Sequence, residues 1–122
     1  MANDFSDYVV SHGATLLDAA EVIVHSHSRS AVVVEGDKVV GIISEGDILR
    51  ALLHGVGVRA PLADFVNHGF KFLDAPDEAR ALELFREFGI ALIPVLNSGF
   101  RLTGVITLQE TLQSLELTVS KS

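Results

Sequence analysis

Hydrophobic and polar positions follow two kinds of pattern along this chain, and both patterns recur in the same order in each half. Segments with apolar residues every three or four positions predict helices at about 16–24, 45–54, 78–88 and 108–116. Short β-branched runs predict strands between them: "AVVVE" and "KVVGIIS" in the first half, "ALIPVL" and "RLTGVIT" in the second. Glycine-containing turns separate the strands of each pair, which is typical of β-hairpins.

A further strand is predicted ahead of each of these groups, at "YVVSHGA" in the first half and at "FKFLD" in the second. Each half therefore reads β-α-β-β-α. A three-stranded sheet in so small a unit cannot cover both of its faces, so we expect the two halves to pack sheet against sheet. The predicted fold class is α/β (α+β), with two pseudo-symmetric halves at 1–58 and 59–122 forming one compact module.

The two halves also match residue by residue. A shift of 63 residues, the separation between Gly41 and Gly104, aligns "AVVVEGDKVVGIISEGDILRALL" with "PVLNSGFRLTGVITLQETLQSLE" without a gap. Three polar columns keep their chemistry, with Lys38 over Arg101, Ser44 over Thr107 and Asp47 over Glu110. Paired glycines and polar columns in one gapless run indicate an internal duplication.

The stretch "GIISEGD" ends a predicted strand and begins a predicted helix. Ser44-x-x-Asp47 is the capping-box pattern, in which the two side chains satisfy free N–H groups of the first helical turn. The same residues stand at the carboxyl end of a strand, where α/β structures tend to bind ligands. Gly41, three residues earlier, would allow a close approach of the backbone. A helix cap and a ligand site are both consistent with this pattern.

These motifs resemble a CBS-domain pair, named after cystathionine β-synthase and also called a Bateman module. The resemblance covers nearly the whole chain and depends on Pro94-Val95 and on the pattern Gly-h-h-[Ser/Thr]-x-x-[Asp/Asn], present as "GIISEGD" and imperfectly as "GVITLQE". Two residues depart from the family pattern. Ala31 replaces a proline in the first half, and Glu110 replaces the usual Asp or Asn in the second.

The resemblance implies a non-catalytic regulatory module that binds AMP, ADP, ATP or S-adenosylmethionine in a cleft between the halves and requires no cofactor. It implies that Ser44 and Asp47 hold the ribose, whose two hydroxyl hydrogens an ionised Asp47 can accept. Thr107 and Glu110 would form the second site, where Glu110 is one methylene longer than the usual Asp. Arg29, just before a predicted strand, is the leading candidate for a phosphate contact.

Composition narrows the choice of function. The chain has 122 residues with 9 Lys plus Arg against 16 Asp plus Glu, a net charge of −7, and the cations are scattered. Such a surface repels nucleic acid but still allows a small anionic ligand beside one or two local cations. No apolar run is long enough to span a bilayer, and no secretion signal precedes the first strand, so we expect no membrane partner and a cytoplasmic location.

Other interpretations remain at this point. The main alternative is a structural homodimerisation module with degenerate, non-binding clefts, and a second is an enzyme that binds a metal through its histidines. His25 and His27 are two residues apart and would face away from each other on a helix, so we expect no metal site. The helices "DILRALLHG" and "ALELFREFG" carry more apolar positions than one core consumes, which favours a homodimer. No effector domain is identified.

Overall fold

The computed structural model describes residues 5–120, with side chains through residue 115. The outer limits predicted for the two halves, residues 1 and 122, lie outside that range. The helices and strands, in chain order, are β1 (Val9–Ser11), α1 (Leu16–Ser26), β2 (Ser30–Glu35), β3 (Lys38–Ser44), α2 (Glu45–Leu53), α3 (Glu78–Phe88), β4 (Leu92–Leu96), β5 (Leu102–Thr107) and α4 (Leu108–Ser120). A short 3-10 helix at Leu62–Phe65 follows Pro61.

Side-chain caps fix the beginnings of the helices. Thr15 and Asp18 form a complete capping box at α1, in which the Thr15 hydroxyl accepts from the Asp18 N–H at 3.2 Å and Asp18 accepts from the Thr15 N–H at 3.0 Å. Asp77 caps α3 by accepting from the Arg80 N–H at 3.0 Å. The structure confirms the four predicted helices. They could be predicted because capping residues are strong local signals for the start of a helix.

The two sheets differ in size. In the first half β1 pairs in parallel with β2, and β2 pairs antiparallel with β3. In the second half β4 and β5 form a two-stranded antiparallel sheet. The strand predicted at "FKFLD" is wrong, because Leu73 alone pairs with β4 through an isolated bridge to Val95.

Pro94 explains the missing strand. The Leu73 N–H donates to the Pro94 carbonyl at 3.0 Å, and the Leu96 N–H donates to the Leu73 carbonyl at 2.8 Å. In a parallel ladder the next bond toward the N-terminus would run from the N–H of residue 94 to the Lys71 carbonyl. Proline has no N–H, so the ladder stops at Leu73 and the preceding residues are free to line another surface.

The two sheets pack face to face, as predicted. Val32 and Val39 of the first sheet and Leu92 and Leu96 of the second form one buried cluster between them. The outer face of each sheet is covered by its own helices: Leu16, Ala19, Ile23, Ile48 and Ala51 belong to the core of the first half, and Ala81, Leu84, Phe85 and Ile93 to that of the second. Burial of the apolar cluster between the two sheets is the main force that joins the halves.

The tips of the two hairpins also meet. The Val39 N–H donates to the Phe100 carbonyl at 2.8 Å, and the Arg101 Nε donates to the Asp37 carboxylate at 2.7 Å. Both links lie at the turn end of β3, opposite its Ser44 end. The halves are therefore joined by hydrogen bonds at one end of the sheets, and a cleft lies at the other.

The surplus of apolar residues lies partly on a different helix from the one predicted. α3 buries Ala81, Leu84 and Phe85, so the prediction that it presents an apolar outer face is wrong except at Phe88. Helices α2 and α4 carry the exposed leucines instead, namely Leu49, Leu52, Leu53, Leu112 and Leu115. The sequence pattern alone could not tell which helical face the second core would cover.

Candidate functional site

Ser44 and Asp47 form a complete capping box at the start of α2. The Ser44 hydroxyl accepts from the Asp47 N–H at 3.2 Å and donates to Asp47 Oδ2 at 2.9 Å. Asp47 Oδ2 also accepts from the Ser44 N–H at 2.9 Å, and Arg50 donates to Asp47 Oδ1. The capping interpretation of this motif is therefore correct, whether or not a ligand also binds there.

The capped pair keeps some capacity for hydrogen bonding. A carboxylate offers about four acceptor positions, and three of those on Asp47 are occupied, which leaves one on Oδ1. A hydroxyl has one donor and two acceptor positions, so the Ser44 hydroxyl, which donates once and accepts once, can accept once more. The pair can thus accept two hydrogens from a ligand, one on each residue rather than both on Asp47.

Both side chains line a cleft of about 410 Å³ between the two halves. Ser30, Ile42, Ser44 and Asp47 come from the first half, and Phe88, Ile90 and Leu92 from the second. The connecting segment between α2 and α3, residues 54–77, adds Asn67, Gly69, Phe70 and Lys71. Most of the wall is apolar, and the polar groups gather at the start of α2 and on the connecting segment. A mostly apolar cavity with a few convergent polar groups is the usual form of a small-molecule site.

A second groove of about 310 Å³ adjoins the cleft, since Ser30, Ser44 and Ile90 line both. Arg29 and Glu45 lie in this groove and form an ion pair, with the Arg29 Nε 3.3 Å from Glu45 Oε1. Arg29 has a left-handed backbone conformation, with φ of 67°, at the bend that leads into β2. Its predicted phosphate contact is therefore in competition with a carboxylate already bound to the guanidinium.

Gly41, a predicted ligand-binding residue, allows a close approach of the backbone to the connecting segment. It is buried in β3 beneath the connecting segment, where Ile42 and Asn67 exchange two backbone hydrogen bonds of 2.8 and 3.1 Å. A Cβ at Gly41 would overlap Val66 Cγ1 and lie 2.7 Å from the Asn67 carbonyl oxygen. Gly41 does not line the cleft, but it allows Asn67 and the residues after it to form the cleft wall.

The second copy of the motif lies apart from this cleft. The Thr107 hydroxyl accepts from the Glu110 N–H at 3.2 Å and donates to Glu110 Oε1 at 2.9 Å, so this pair also caps its helix. Thr107 is buried, whereas Glu110 is exposed and close enough to Tyr8 to raise the pKa of that phenol, together with the larger effect of burial. Neither residue lines the cleft that contains Asp47.

Several cleft residues, in the connecting segment and in α3, were not predicted from the sequence. Lys71 and Phe88 both line the cleft and contact each other, with the Lys71 Nζ 4.3 Å from the centre of the Phe88 ring. No local motif marks these residues. The one available signal for the second-half wall was the repeat alignment, which places Leu92 in the column of Arg29.

The described part of the chain offers neither a metal site nor a membrane-spanning helix. It contains no group of three or more His, Asp or Glu side chains arranged to hold a metal ion. The Nε2 atom of His25 lies 3.7 Å from Asp7 Oδ1. His27 directly follows α1 and has a left-handed backbone conformation. None of the described helices combines the length and the apolar character that crossing a membrane requires.

The fold and the cleft define a class of protein, a duplicated α/β module with a cleft between its two copies. The sequence model of the CBS domain matches this chain twice, at residues 4–54 and 77–116. The chain therefore belongs to the CBS-domain family, with two copies of the domain, as its motifs indicated. The exact boundary expected between residues 58 and 59 stays a prediction.

Comparison with known proteins adds two sequence relatives and a solved structure with the same fold. An uncharacterised 17.7 kDa protein of Acidianus ambivalens is 26% identical over 88% of this chain, and an A-adding tRNA nucleotidyltransferase of Geobacter sulfurreducens is 30% identical over 81%. The chain spans 66% and 11% of those two proteins, respectively. A CBS domain protein of Pyrobaculum aerophilum, solved in complex with AMP, has a TM-score of 0.74 at 23% identity and covers 93% of this chain and 91% of its own.

Proposed function

We propose that this chain is a non-catalytic regulatory module that binds an adenine nucleotide in the cleft between its two CBS domains. The observation that carries this proposal is the position of the Ser44–Asp47 pair, which keeps two free acceptor positions at the edge of an apolar cleft of about 410 Å³. The AMP complex of the Pyrobaculum protein supports the same ligand class. The candidate ligands are AMP, ADP, ATP and S-adenosylmethionine, and no cofactor is required.

The free acceptor positions suggest how a ribose is held. One ribose hydroxyl donates to Asp47 Oδ1, and the neighbouring hydroxyl donates to the Ser44 oxygen. This division leaves the helix cap intact, so binding does not have to break the hydrogen bonds that begin α2. Hydrogen bonds to a charged group contribute about 1.5–3 kcal/mol, so the Asp47 contact is the stronger of the two.

The base and the phosphates follow from the character of the walls. The base enters among Ile42, Ile90 and Leu92, where apolar surface is available. Arg29 remains a predicted phosphate contact in the adjoining groove, weakened by its ion pair with Glu45. We place a second, weaker site at Thr107 and Glu110, since that pair repeats the capping geometry of the first.

The alternative function is a structural dimerisation module whose clefts bind nothing. It is favoured by one observation, namely that both oxygens of Asp47 already accept hydrogen bonds from protein groups. A homodimer is part of our proposal in either case, with a partner or effector domain that the chain does not identify. The cytoplasmic location expected from the sequence stays a prediction.

A pair of matched variants separates ligand binding from helix capping. Asp47→Asn and Asp18→Asn each change the acidic member of a complete capping box, but Asp18 lies at α1, outside the cleft. Both variants should melt at a somewhat lower temperature than the wild type. Saturating AMP should raise the melting temperature of the wild type and of Asp18→Asn, because a ligand that binds only the folded chain stabilises it.

Asp47→Asn should respond to AMP far less, with affinity reduced about 10-fold or more, because the charged acceptor of the ribose is lost. Titration calorimetry of the three proteins with AMP, ATP and S-adenosylmethionine gives the affinities directly. If the folded wild type binds none of the three ligands, the nucleotide proposal is wrong and the structural module is favoured. If Asp47→Asn binds as well as Asp18→Asn, the ribose contact is wrongly assigned.

A further inference from the structure

One charged side chain of the two grooves differs from the others. Asp47 is paired with Arg50, which lines neither groove, and Glu45 is paired with Arg29 at 3.3 Å. Lys71 is the remaining charged group of the two grooves, and no carboxylate described through residue 115 lies within ion-pair distance of it. The groove linings carry two cations and two carboxylates, so Lys71 is distinguished by the lack of a carboxylate partner rather than by an excess of positive charge.

Lys71 is held where a ligand would meet it. It belongs to the connecting segment, and its ammonium group lies 4.3 Å from the centre of the Phe88 ring at the end of α3. A cation over an aromatic face is attracted by the ring but still keeps its hydrogen-bond donors. Lys71 therefore extends over the cleft without having its donors consumed by a carboxylate.

Lys71 lies at the exposed rim of the cleft. Ile42, Phe70, Ile90 and Leu92 line the same cleft, so an anionic ligand seated there meets the ammonium group beside apolar walls. Arg29 should bind an anion more weakly, because a phosphate at that position must compete with Glu45. The charge available to an anionic ligand is thus mainly that of Lys71.

We propose that Lys71 determines the charge class of the ligand, so that the cleft prefers anionic adenine nucleotides to neutral adenosine and to cationic S-adenosylmethionine. This inference rests on the nucleotide-binding function proposed above. A phosphate monoester carries a charge of about −1.5 to −2 near pH 7. S-adenosylmethionine carries a sulfonium and an ammonium group against one carboxylate, so Lys71 repels it overall.

Titration calorimetry with adenosine, AMP, ATP and S-adenosylmethionine tests the proposal on three lysine and arginine variants. Lys71→Met keeps an unbranched side chain against Phe88 and removes the charge. Lys38→Met removes the same charge at the exposed start of β3, far along the sheet from the cleft, and so controls for net charge. Arg29→Met measures the competing cation.

We expect Lys71→Met to weaken AMP and ATP about 10-fold, to leave adenosine within about twofold, and to bind S-adenosylmethionine as well as or better than the wild type. Arg29→Met should weaken AMP less, and Lys38→Met should change little. Affinity of the wild type for AMP should also fall more steeply with added salt than that of Lys71→Met.

The two proposals fail in different ways. If the wild type binds adenosine but binds AMP no tighter, or if Lys71→Met binds AMP like the wild type, the role of Lys71 is wrong while nucleoside binding stands. If Lys71→Met loses adenosine and AMP equally, Lys71 contacts the nucleoside and the charge proposal is also overturned. If no ligand binds to the folded wild type, both proposals fall together.

Discussion

Gly41 lies beneath the connecting segment, and a side chain there would collide with Val66 and with the Asn67 carbonyl oxygen. We expect Gly41→Ala to lower the free energy of unfolding by roughly 1–3 kcal/mol, because the new methyl group has to push a backbone segment away from β3. Chemical denaturation measures this change. The variant should also bind nucleotide more weakly, since Asn67 and the residues after it form one wall of the cleft.

Gly104 provides the matched control for this prediction. It occupies the same column of the second repeat, but its added Cβ would lie 3.8 Å from Val95, an ordinary contact distance. Gly104→Ala should therefore be neutral or stabilise by up to about 1 kcal/mol, because alanine reduces the freedom of the unfolded chain. Equal destabilisation by both substitutions would contradict the packing role assigned to Gly41.

The two hairpins are linked by an ion pair that should give the fold a pH dependence. Hydrogen bonding to Arg101, together with its charge, holds the pKa of Asp37 below its ordinary range. A carboxyl group with a lower pKa in the folded chain stabilises the fold while it is ionised. This contribution is complete above the ordinary carboxyl pKa, about 4, and is lost as the pH falls through the lower folded value.

Asp37→Asn should therefore unfold more easily than the wild type at neutral pH. The difference should start to shrink as the pH falls below about 4 and should vanish only once Asp37 is protonated in the folded chain as well. Unfolding curves in urea across this range measure it. The effect should also shrink at high salt, because both side chains are exposed. A double variant that also carries Arg101→Met should be no less stable at neutral pH than Asp37→Asn; a further large loss would mean that Arg101 acts elsewhere.

The helices and hairpins were predictable because their signals are local. Capping residues and glycine turns act within a few positions, and the predicted starts of the four α-helices agree with the structure within about one residue. The prediction of a strand at "FKFLD" was wrong because such a strand needs hydrogen bonds to β4, a partner more than 20 residues away. Its own residues favour a strand, but Pro94 removes the hydrogen bond that would extend the ladder past Leu73.

The residues of the candidate site were likewise predictable only where their signal is local. Ser44 and Asp47 were found because three residues of spacing define both a capping box and the family motif. Lys71, Phe88 and Asn67 were missed because they reach the cleft only through the packing of the second half and the crossing above Gly41. The ion pair of Glu45 with Arg29 was equally invisible, because it joins residues from two different elements.

Exposed leucines distinguish one surface of the whole molecule. Leu49 and Leu112 occupy one column of the repeat alignment and are 58% and 49% exposed, and Leu52 and Leu115 occupy another and are 37% and 45% exposed. Duplication has thus placed matching apolar residues on α2 and α4. Side chains of this kind in contact with water favour association, and a self-complementary dimer is the commonest form of it.

We therefore predict a dimer in which α2 takes part. Leu53, the most exposed of these leucines at 84%, and Leu49 both project from that helix without contributing to the core. Changing both to Glu should weaken dimerisation at least about 10-fold, because charged groups would have to be buried; sedimentation velocity over a concentration series measures it. Phe100→Asn is the control, since it removes an exposed apolar side chain from the distant hairpin tip at a left-handed position that Asn adopts readily. A wild type that stays monomeric at high micromolar concentration, or a double variant that dimerises unchanged, would exclude this surface.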